Sequence, residues 1–334
     1  MKKLIDYKSL DFIKSRIGSN SSFIITTHQN PDGDAIGSSL GLHYFLKLIG
    51  KESRIINCNS TPNYLKYLDI NNEIEVYDKS KHYELFQKCD VIIVLDLNNL
   101  KRLVDVGDAV SDSKKEKIVI DHHIEPENFA DYYYVDTEIA STCEIIWNLL
   151  SLFEQDFTID SANAIYTGII TDTGSFGFDR TTEKTHLIAS DLIKHGVKPH
   201  KINEYIYNSS SLASLHLYGY ALKSIELFYN EKLAIMTITQ QMLKDAGLGE
   251  GELDGFSTAP LRIDSVKISL TIVELKEKGV FKLSFRAKNG NPIRDLASIF
   301  GGGGHQLASG ARVKETNYES LKTKIINEAK NYII

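Results

Sequence analysis

The sequence is poor in cysteine and contains no long apolar run. Its three cysteines, Cys58, Cys89 and Cys143, are scattered through 334 residues without a CxxC spacing. This distribution argues against a disulfide framework and a thiolate zinc site, and it is typical of a reducing compartment. No stretch approaches the roughly 18 apolar residues of a membrane-spanning helix, and residues 1–8 lack the continuous apolar segment of a signal peptide. We therefore expect a cytoplasmic protein that does not interact with membranes.

The chain also has no surplus of basic residues, which restricts the kinds of nucleic acid that it could bind. The formal net charge is −6, and no run of lysine and arginine is long enough to follow a nucleic acid backbone. Proteins that bind long nucleic acids draw much of their affinity from neutralising phosphates with basic side chains. Long duplex is therefore disfavoured, and any nucleotide substrate is expected to be small and held by a few local charges.

Apolar periodicity predicts a large α/β domain at residues 1–195. Strand-like and helix-like segments alternate there, an order typical of a mostly parallel, doubly wound sheet. The predicted strands are Phe23–Thr27, Arg54–Asn57, Glu73–Tyr77, Val91–Leu95, Lys117–Ile120 and Tyr132–Val135. The predicted helices are Ala35–Ile49, Pro62–Leu68, Ser141–Phe153, Ser161–Ile170 and Thr182–His195. The chain is also longer than one hydrophobic core usually supports, which favours a second domain.

The pattern changes in the C-terminal third. Residues 196–224 are predicted to form a polar helical linker, and residues 225–334 a smaller α+β domain. Its predicted elements are the strands Leu233–Ile238, Val266–Leu275 and Val280–Ala287, the helix Asn291–Phe300 and a closing strand at Ala311–Val313. Residues 276–279 are predicted to form a hairpin turn, since Gly279 tolerates positive φ.

Four segments place carboxylates and imidazoles after apolar runs that we interpret as β-type. The segments are His28–Asp34, Asp96, Asp121–His123 and Asp172, and the runs before them are residues 23–26, 91–94, 117–120 and 164–170. Ligands of α/β sheets bind outside the carboxyl ends of the strands. A set of aspartates with some histidine suits Mn²⁺ or Mg²⁺. We therefore expect a two-metal hydrolase, in which Asp32 and Asp34 face different ions and Asp96 bridges them.

Each of these segments has an ordinary structural interpretation when it is taken alone. A lone strand-end aspartate or a His-x3-Asp pair is more often a turn, a helix cap or a satisfied polar group than a ligand. The metal hypothesis depends on the coincidence of all four segments in one α/β unit. The threonines on either side of Asp172 are expected to donate hydrogen bonds to its carboxylate.

Read together, the four segments resemble the motifs of the DHH phosphoesterase superfamily. The matching residues are His28–Ser38, Asp96, Asp121–His123 and Thr171–Gly174. The glycine run Gly301–Gly304 with His305, preceded by Ser284–Arg286, resembles the DHHA1 domain. The length and compact spacing are similar to the nanoRNase and pAp phosphatase branch rather than to RecJ-type exonucleases. Family II pyrophosphatases share the first domain but lack the glycine-histidine loop.

The resemblance implies a dinuclear Mn²⁺ centre, with Mg²⁺ or another divalent ion as the alternative. The implied ligands are His28, Asp32 and Asp96 for one ion, and Asp34, Asp96, His122 and Asp172 for the other. The implied catalytic residues are Asp96, His123 and Asp121. His123 would lie near the scissile phosphate as an electrostatic or proton-donating group, and Asp121 would support it.

The C-terminal glycine-histidine loop is a candidate substrate site. A glycine run exposes backbone N–H groups that suit close approach to a phosphate or sugar, although it is also common as a flexible turn. Arg286 offers a planar fork that fits two phosphate oxygens, and Arg262 is the best of several ambiguous arginines. The expected substrate-binding residues are Ser284, Arg286, Gly302, Gly303, Gly304, His305 and Arg262.

The expected activity is Mn-dependent hydrolysis of short oligoribonucleotides (nanoRNA) to mononucleotides, and of 3'-phosphoadenosine 5'-phosphate (pAp) to AMP and phosphate. The expected partners are therefore short single-stranded RNA and pAp, and the resemblance implies a homodimer. Hydrolysis of linear dinucleotides such as pApA, in cyclic dinucleotide turnover, would use the same site. Pyrophosphatase or exopolyphosphatase activity fits the glycine-histidine loop less well. A nucleotide-binding regulatory module without turnover would lack one or more metal ligands, and none is missing here.

Overall fold

The computed structural model describes residues 5–249, 256–288, 290–304 and 306–333. The chain divides into two compact units, and the boundary between them along the sequence lies between Ser209 and Ser210. This division lies inside the range 196–224, where we expected a helical linker. No helix among the described residues is long and apolar enough to cross a membrane.

The first unit is built on a six-stranded sheet in which every pair of neighbouring strands is parallel. Its strands are β1 (Ser22–Thr26), β2 (Glu52–Asn57), β3 (Ile74–Val76), β4 (Val91–Leu95), β5 (Glu116–Asp121) and β6 (Tyr132–Val135). The spatial order β3-β2-β1-β4-β5-β6 reverses direction between β1 and β4. The predicted doubly wound α/β fold is confirmed, and its switch point, where such sheets bind ligands, lies at the carboxyl ends of β1 and β4.

Helices cover both faces of this sheet. They are α1 (Leu10–Ser19), α2 (Gly33–Leu48), α3 (Lys79–Lys88), α4 (Asp105–Asp112), α5 (Thr142–Leu150), α6 (Ile159–Asp172), α7 (Glu183–Lys194) and α8 (Pro199–Tyr207). Successive strand side chains point to opposite faces, so Phe23 and Ile25 belong to the core under α1, α2, α5 and α6. Ile24 belongs to the second core, under α3 and α4.

Helices α2 and α6 pack closely because glycines line their contact. Gly33, Gly37 and Gly41 lie four residues apart, so they share one face of α2. A Cβ atom on Gly37 would lie 2.4 Å from the Ala164 carbonyl oxygen, and one on Gly33 would lie 2.2 Å from Thr171 Oγ1. This contact brings the N-terminal end of α2 against the C-terminal end of α6.

Several predicted elements differ from the observed ones. The predicted helix Pro62–Leu68 is a single 3-10 turn at Asn63–Leu65, and the predicted helix Asn291–Phe300 is shortened to Arg294–Ile299. Helices α1, α3 and α4 were not predicted. They are short and amphipathic, and each contributes only two to four buried residues, so their apolar pattern is weak.

The second unit contains a mixed six-stranded sheet with helices on both faces. Its elements are α9 (Leu212–Lys223), β7 (Glu226–Phe228), β8 (Leu233–Ile238), α10 (Gln240–Ala246), β9 (Ile268–Glu274), β10 (Val280–Ala287), α11 (Arg294–Ile299), β11 (Gly303–Gly304), β12 (Ala308–Lys314) and α12 (Tyr318–Ala329). The strand order is β11-β12-β10-β9-β8-β7, and only β8 and β9 are parallel. The predicted smaller α+β domain is confirmed, and the predicted closing strand is the centre of β12.

Candidate metal centre

The carboxyl ends of β1 and β4 bring His28 and Asp96 together. The His28 Nδ1–H donates to the Gln29 carbonyl oxygen at 2.8 Å, which directs Nε2 toward the carboxylates. Nε2 lies 3.3 Å from Asp96 Oδ2 and 4.0 Å from Asp32 Oδ2. Asp96 has a φ of 55°, a left-handed conformation that costs energy in a side-chain-bearing residue and often marks functional sites.

Asp32 and Asp34 begin helix α2 and face different neighbours. Asp32 caps the helix, because its Oδ1 accepts hydrogen bonds from the N–H groups of Asp34 and Ala35, each at 3.1 Å. Its side chain is 53% exposed, so Oδ2 remains accessible from solvent. Asp34 is buried and lies on the other side, with Oδ2 3.9 Å from His122 Nε2.

The end of β5 supplies the Asp-His-His segment. His122 is buried, and its Nε2 lies 3.5 Å from both Asp96 Oδ1 and Asp172 Oδ2. Asp121 Oδ1 accepts a hydrogen bond from His123 Nδ1 at 2.7 Å and another from the His122 backbone N–H at 2.9 Å. The two adjacent histidines therefore have different surroundings, since only His123 is held by Asp121 through its ring.

Asp172 reaches this cluster from a helix, so the β-type interpretation of residues 164–170 is wrong, whereas the predicted helix Ser161–Ile170 is confirmed. These residues belong to α6, which ends at Asp172. The expected hydrogen bonds from its neighbouring threonines are also absent from the described residues. The Thr171 hydroxyl donates to the Thr167 and Gly168 carbonyl oxygens, and the Thr173 hydroxyl donates to the Ile169 carbonyl oxygen. Threonine in a helix bonds back to the preceding turn in this way.

The assembled side chains form donor groups that fit divalent ions. One group contains His28, Asp32 and Asp96; another contains Asp34, His122 and Asp172; a third joins Asp96, His122 and His123. Ligand atoms held about 2.1 Å from one ion lie roughly 3.0–3.4 Å apart in octahedral or tetrahedral geometry. The observed separations of 3.3–4.0 Å require only small movements to reach these values. Asp96 presents Oδ2 to His28 and Oδ1 to His122, so its two oxygens face the first two groups.

Protons and hydrogen bonds compensate for the concentration of carboxylates at this site. Burial and the neighbouring Asp96 raise the pKa of Asp34 to about 7. Burial opposes charge on His122, but Asp96, Asp172 and Asp34 outweigh it and raise the pKa of His122 to about 10. The pKa of Asp96 falls well below its usual value, because hydrogen bonds from His122 and His28 outweigh its burial. Bound cations would replace these protons, since metal ligands must be deprotonated.

Helix α5 holds Asp34 in place, which local sequence patterns do not reveal. The Thr142 N–H donates to Asp34 Oδ2 at 2.7 Å, and the Cys143 N–H donates to Oδ1 at 2.8 Å. The first N–H groups of a helix have no partners within the helix and favour a negative charge. The Thr142 hydroxyl also approaches Asp96 Oδ1, at 3.4 Å. Ser141 and Glu144 signal a helix start in the sequence, but nothing local connects them to a carboxylate 108 residues earlier.

Glu144 is a buried carboxylate in the same first turn of α5. Its Oε1 accepts a hydrogen bond from the Thr185 hydroxyl at 3.0 Å, whereas no described residue donates a hydrogen bond to its buried Oε2. Burial raises the pKa of Glu144 from the usual 4.5 to about 7, although Thr185 and His122 oppose this shift. The folded protein therefore favours the protonated form of Glu144.

This preference predicts a pH-dependent effect of Glu144→Gln on stability. Well below pH 4.5 the carboxyl group is protonated in both folded and unfolded chains, and its ionisation has no effect. As the pH rises to 7 and above, ionisation stabilises the unfolded chain by up to about 3 kcal/mol, whereas glutamine cannot ionise. We expect the unfolding free energy of the variant to rise relative to wild type between pH 5 and 8, measured by urea denaturation in EDTA. Parallel pH profiles would contradict this interpretation.

In the second unit, the predicted residues of β10 and β11 share one region of the sheet. Ser284 pairs with Gly310 of β12, and Gly310 pairs with Gly303 of β11. Ser284 and Arg286 lie two residues apart on one face of β10, while the alternating residues enter the core. Arg286 donates from Nη1 to the Phe285 carbonyl oxygen at 2.8 Å, and burial lowers the pKa of its guanidinium.

The remaining predicted substrate residues differ in how closely the surrounding chain packs against them. Gly302 and Gly304 are required by the backbone, since a Cβ would lie 2.1 Å from the Gly310 carbonyl oxygen and 2.6 Å from that of Ala308, respectively. Gly303 has open space around its Cα atom, so it is the glycine whose backbone a ligand could approach. Arg262 is exposed at the end of a 3-10 helix (Phe256–Arg262), and within the described part of the chain it forms no hydrogen bond to Ser284 or Arg286. His305 lies outside the described residues.

Comparisons with known proteins match both units. The N-terminal domain of the DHH family matches residues 22–169, and the DHHA1 domain matches residues 230–333. The bifunctional oligoribonuclease and PAP phosphatase NrnA of Thermus thermophilus is 30% identical over 302 residues, covering 90% of this chain and 87% of that protein. The crystal structure of an exopolyphosphatase-related protein from Bacteroides fragilis has a TM-score of 0.91 at 33% identity, covering 97% of this chain and 96% of that one. The cyclic-di-AMP phosphodiesterase PdeA of Listeria monocytogenes is 22% identical, covering 96% of this chain and 49% of that protein.

Proposed function

Since this chain belongs to the DHH family and has its DHHA1 domain, we propose that it hydrolyses short oligoribonucleotides and pAp with the help of two Mn²⁺ ions. Its relatives identify it as a metal-dependent phosphodiesterase or phosphatase. The proposal of two ions rests on Asp96. Its Oδ2 faces the donor group that contains His28, and its Oδ1 faces the donor group that contains His122. The ligands would be His28, Asp32 and Asp96 for one ion, and Asp34, Asp96, His122 and Asp172 for the other.

Bound divalent ions would neutralise phosphoryl oxygens and lower the pKa of water, which is the chemistry that phosphoester hydrolysis needs. The protein's own residues hold the donor atoms in position. Asp96 faces both groups, and the N-terminus of α5 fixes both oxygens of Asp34 by backbone N–H groups. Rigid donors of this kind need little rearrangement during the reaction.

His123 is suited to protonate the leaving oxygen of the substrate. Its Nδ1 is engaged by Asp121 at 2.7 Å, so in the protonated ring the Nε2–H is the group that can donate a proton to the substrate. The side chain of His123 is 14% exposed, whereas that of His122 is 3% exposed, so His123 is the more accessible of the two. An alkoxide leaving group such as a ribose 3'-oxygen requires a proton, and a positioned histidine is a common general acid.

Arg286 is the best candidate for binding a nucleotide phosphate in the second unit. No described carboxylate forms an ion pair with it, although burial makes its charge costly. A partly buried arginine without a described acidic partner is typical of sites that receive an anionic ligand. Ser284 and the open backbone at Gly303 lie in the same region of the sheet.

We expect Arg286→Ala to raise KM for pAp and oligoribonucleotides by roughly 10- to 100-fold, the effect of losing one or two charge-assisted hydrogen bonds. Hydrolysis of bis-p-nitrophenyl phosphate should stay within about twofold, because this small substrate has no second phosphate. Steady-state kinetics on both substrate types check the prediction. Lys282→Ala is the matched control, since Lys282 is an exposed cation on the same strand face. Equal losses on both substrate types would mean that Arg286 is structural.

The proposed function is tested by phosphate-release and chromatographic assays with four substrates: pAp, a ribonucleotide trimer, pApA and pyrophosphate. We expect turnover of pAp and the trimer with Mn²⁺, its loss in EDTA and its recovery when Mn²⁺ is restored. Turnover of pyrophosphate alone, or of no nucleotide, would contradict the proposal.

The PdeA relative favours linear dinucleotides as a second candidate substrate, and a much higher kcat/KM on pApA than on pAp and the trimer would assign that activity.

A further inference from the structure

Arg102 is an arginine beside the candidate metal centre to which the proposed function assigns no role. It lies in a 3-10 turn (Leu100–Leu103) that follows β4 and its strand-end Asp96. The Arg102 carbonyl oxygen accepts a hydrogen bond from the Gln29 N–H at 2.8 Å. Gln29 directly follows His28, so this bond places the backbone of Arg102 against the loop that carries His28.

The turn is also attached to the segment that follows His122 and His123. The Leu100 N–H donates to Glu127 Oε2 at 3.1 Å, and the Glu127 N–H donates to the Asn98 carbonyl oxygen at 2.7 Å. The Asn98 side chain donates to the Ile124 carbonyl oxygen at 2.9 Å. Arg102 therefore lies on a turn that is held between the loops after β1 and β5, both of which carry candidate ligands.

The residue that ends this turn has an unfavourable backbone conformation. Val104 has φ 50° and ψ −125°, which a β-branched side chain rarely adopts. Such strain persists where surrounding contacts determine the conformation, and it is concentrated at functional sites. The anchored turn is therefore defined well enough to position a side chain.

The Arg102 guanidinium has no structural partner within the described part of the chain. It forms no hydrogen bond or ion pair there, although the ligand cluster contains Asp32, Asp34, Asp96 and Asp172. The side chain is only partly exposed, and it extends from a backbone that is hydrogen-bonded to the residue after His28. A cation on this turn that is unpaired with the described carboxylates is available to an anion bound at the same site.

We propose that Arg102 binds a non-bridging phosphoryl oxygen of the substrate on the His28 side of the metal centre. The guanidinium donates N–H groups to that oxygen and supplies positive charge where negative charge increases during phosphoryl transfer. Arg102 is thus a substrate-binding residue, which Lys could replace only in part, because its ammonium group lacks the planar fork. This inference rests on the proposed phosphoesterase function.

The test compares Arg102→Ala, Arg102→Lys and the control Lys101→Ala, whose exposed side chain belongs to the same turn. Inorganic phosphate is titrated calorimetrically into Mn²⁺-loaded protein, and Mn²⁺ is titrated into metal-free protein.

We expect Arg102→Ala to weaken phosphate binding at least about tenfold and to lower kcat/KM on pAp about 10- to 100-fold, as for the loss of one charge-assisted hydrogen bond. Mn²⁺ affinity should be kept or increased, because a nearby positive charge is removed. Arg102→Lys should lie between wild type and Arg102→Ala, and Lys101→Ala should match wild type within about twofold.

Unchanged phosphate affinity in Arg102→Ala would overturn the proposal, and so would an equal loss in Lys101→Ala. Weakened Mn²⁺ binding with intact phosphate affinity would assign Arg102 to the scaffold instead. If Arg102→Ala does not fold, Arg102→Gln keeps much of the aliphatic stem and is judged by the same phosphate titration. Phosphate binding needs no turnover, so a wild-type protein that hydrolyses neither pAp nor the trimer would refute the proposed function while leaving this titration decisive for Arg102.

Discussion

Asp96→Asn should abolish hydrolysis of pAp and oligoribonucleotides, with a loss in kcat on the order of a thousandfold or more. Such a loss corresponds to about 4 kcal/mol of transition-state stabilisation. Asp96 is the residue whose two oxygens face different donor groups, at 3.3 Å from His28 and 3.5 Å from His122. Asparagine keeps the size but removes the charge and one oxygen, so it cannot serve both groups. Initial rates at saturating Mn²⁺ and calorimetric Mn²⁺ titrations check the result.

Asp32→Asn provides a matched variant in which folding is at little risk. The side chain of Asp32 is 53% exposed, and asparagine can still cap α2 through its side-chain oxygen. We expect Asp32→Asn to weaken Mn²⁺ binding and turnover while the unfolding temperature stays near that of wild type. Normal kcat in a folded Asp96→Asn protein would refute the two-metal proposal. Loss of activity in both variants without any change in Mn²⁺ binding would refute the ligand assignments.

His123→Gln should lower kcat on pAp and ribonucleotides by about 10²- to 10⁴-fold, the usual contribution of a general acid. The loss should be at least about tenfold smaller on a nucleoside 5'-(p-nitrophenyl) phosphate, since p-nitrophenoxide leaves without a proton and needs less acid catalysis. Mn²⁺ affinity should be retained, because His123 Nδ1 is engaged by Asp121 rather than directed at an ion. Kinetics on both substrates, together with a Mn²⁺ titration, separate these effects.

Two outcomes would contradict the proton-donor assignment of His123. Equal losses on both leaving groups would mean that His123 acts without transferring a proton. A marked loss of Mn²⁺ affinity would make it a ligand, a role for which its Nδ1, 3.5 Å from Asp96 Oδ1, is close enough. Asp121→Asn is the companion variant. It should show a smaller loss of the same kind, because its amide oxygen can still accept the hydrogen bond from His123.

The residues of the candidate centre were identifiable because each motif is local. His28, Asp32 and Asp34 lie within seven residues. Asp96 follows the apolar strand β4, and Asp121 ends β5 after the apolar residues 118–120. Parallel strands end at the same edge of a sheet, so side chains after β1, β4 and β5 are brought together by the fold class itself. The alternation of strand and helix patterns was enough to predict that class. The roles of these residues as ligands and catalysts remain predictions.

Other features could not be read from local patterns. The apolar run before Asp172 was compatible with both a helix and a β-type run, because α6 is buried around most of its circumference and periodicity does not separate such a helix from a buried strand. The contact between Asp34 and α5 joins residues more than 100 positions apart. The role proposed for Arg102 depends on the absence of a partner among the described residues, which only a three-dimensional arrangement reveals.

The sequence by itself determined the fold class, the residue types of the candidate metal centre and, through the DHH and DHHA1 motifs, the family. These properties depend on composition and short-range spacing, which a linear pattern records. Only the tertiary structure decided that the two oxygens of Asp96 face different donor groups and that Asp172 joins His122 in one cluster. It also decided that the backbone of Arg102 is bonded to the His28 loop while its side chain has no counter-ion among the described residues. Each of these depends on long-range packing, in particular the glycine-lined contact of α2 with α6 and the hydrogen bond from Gln29 to Arg102.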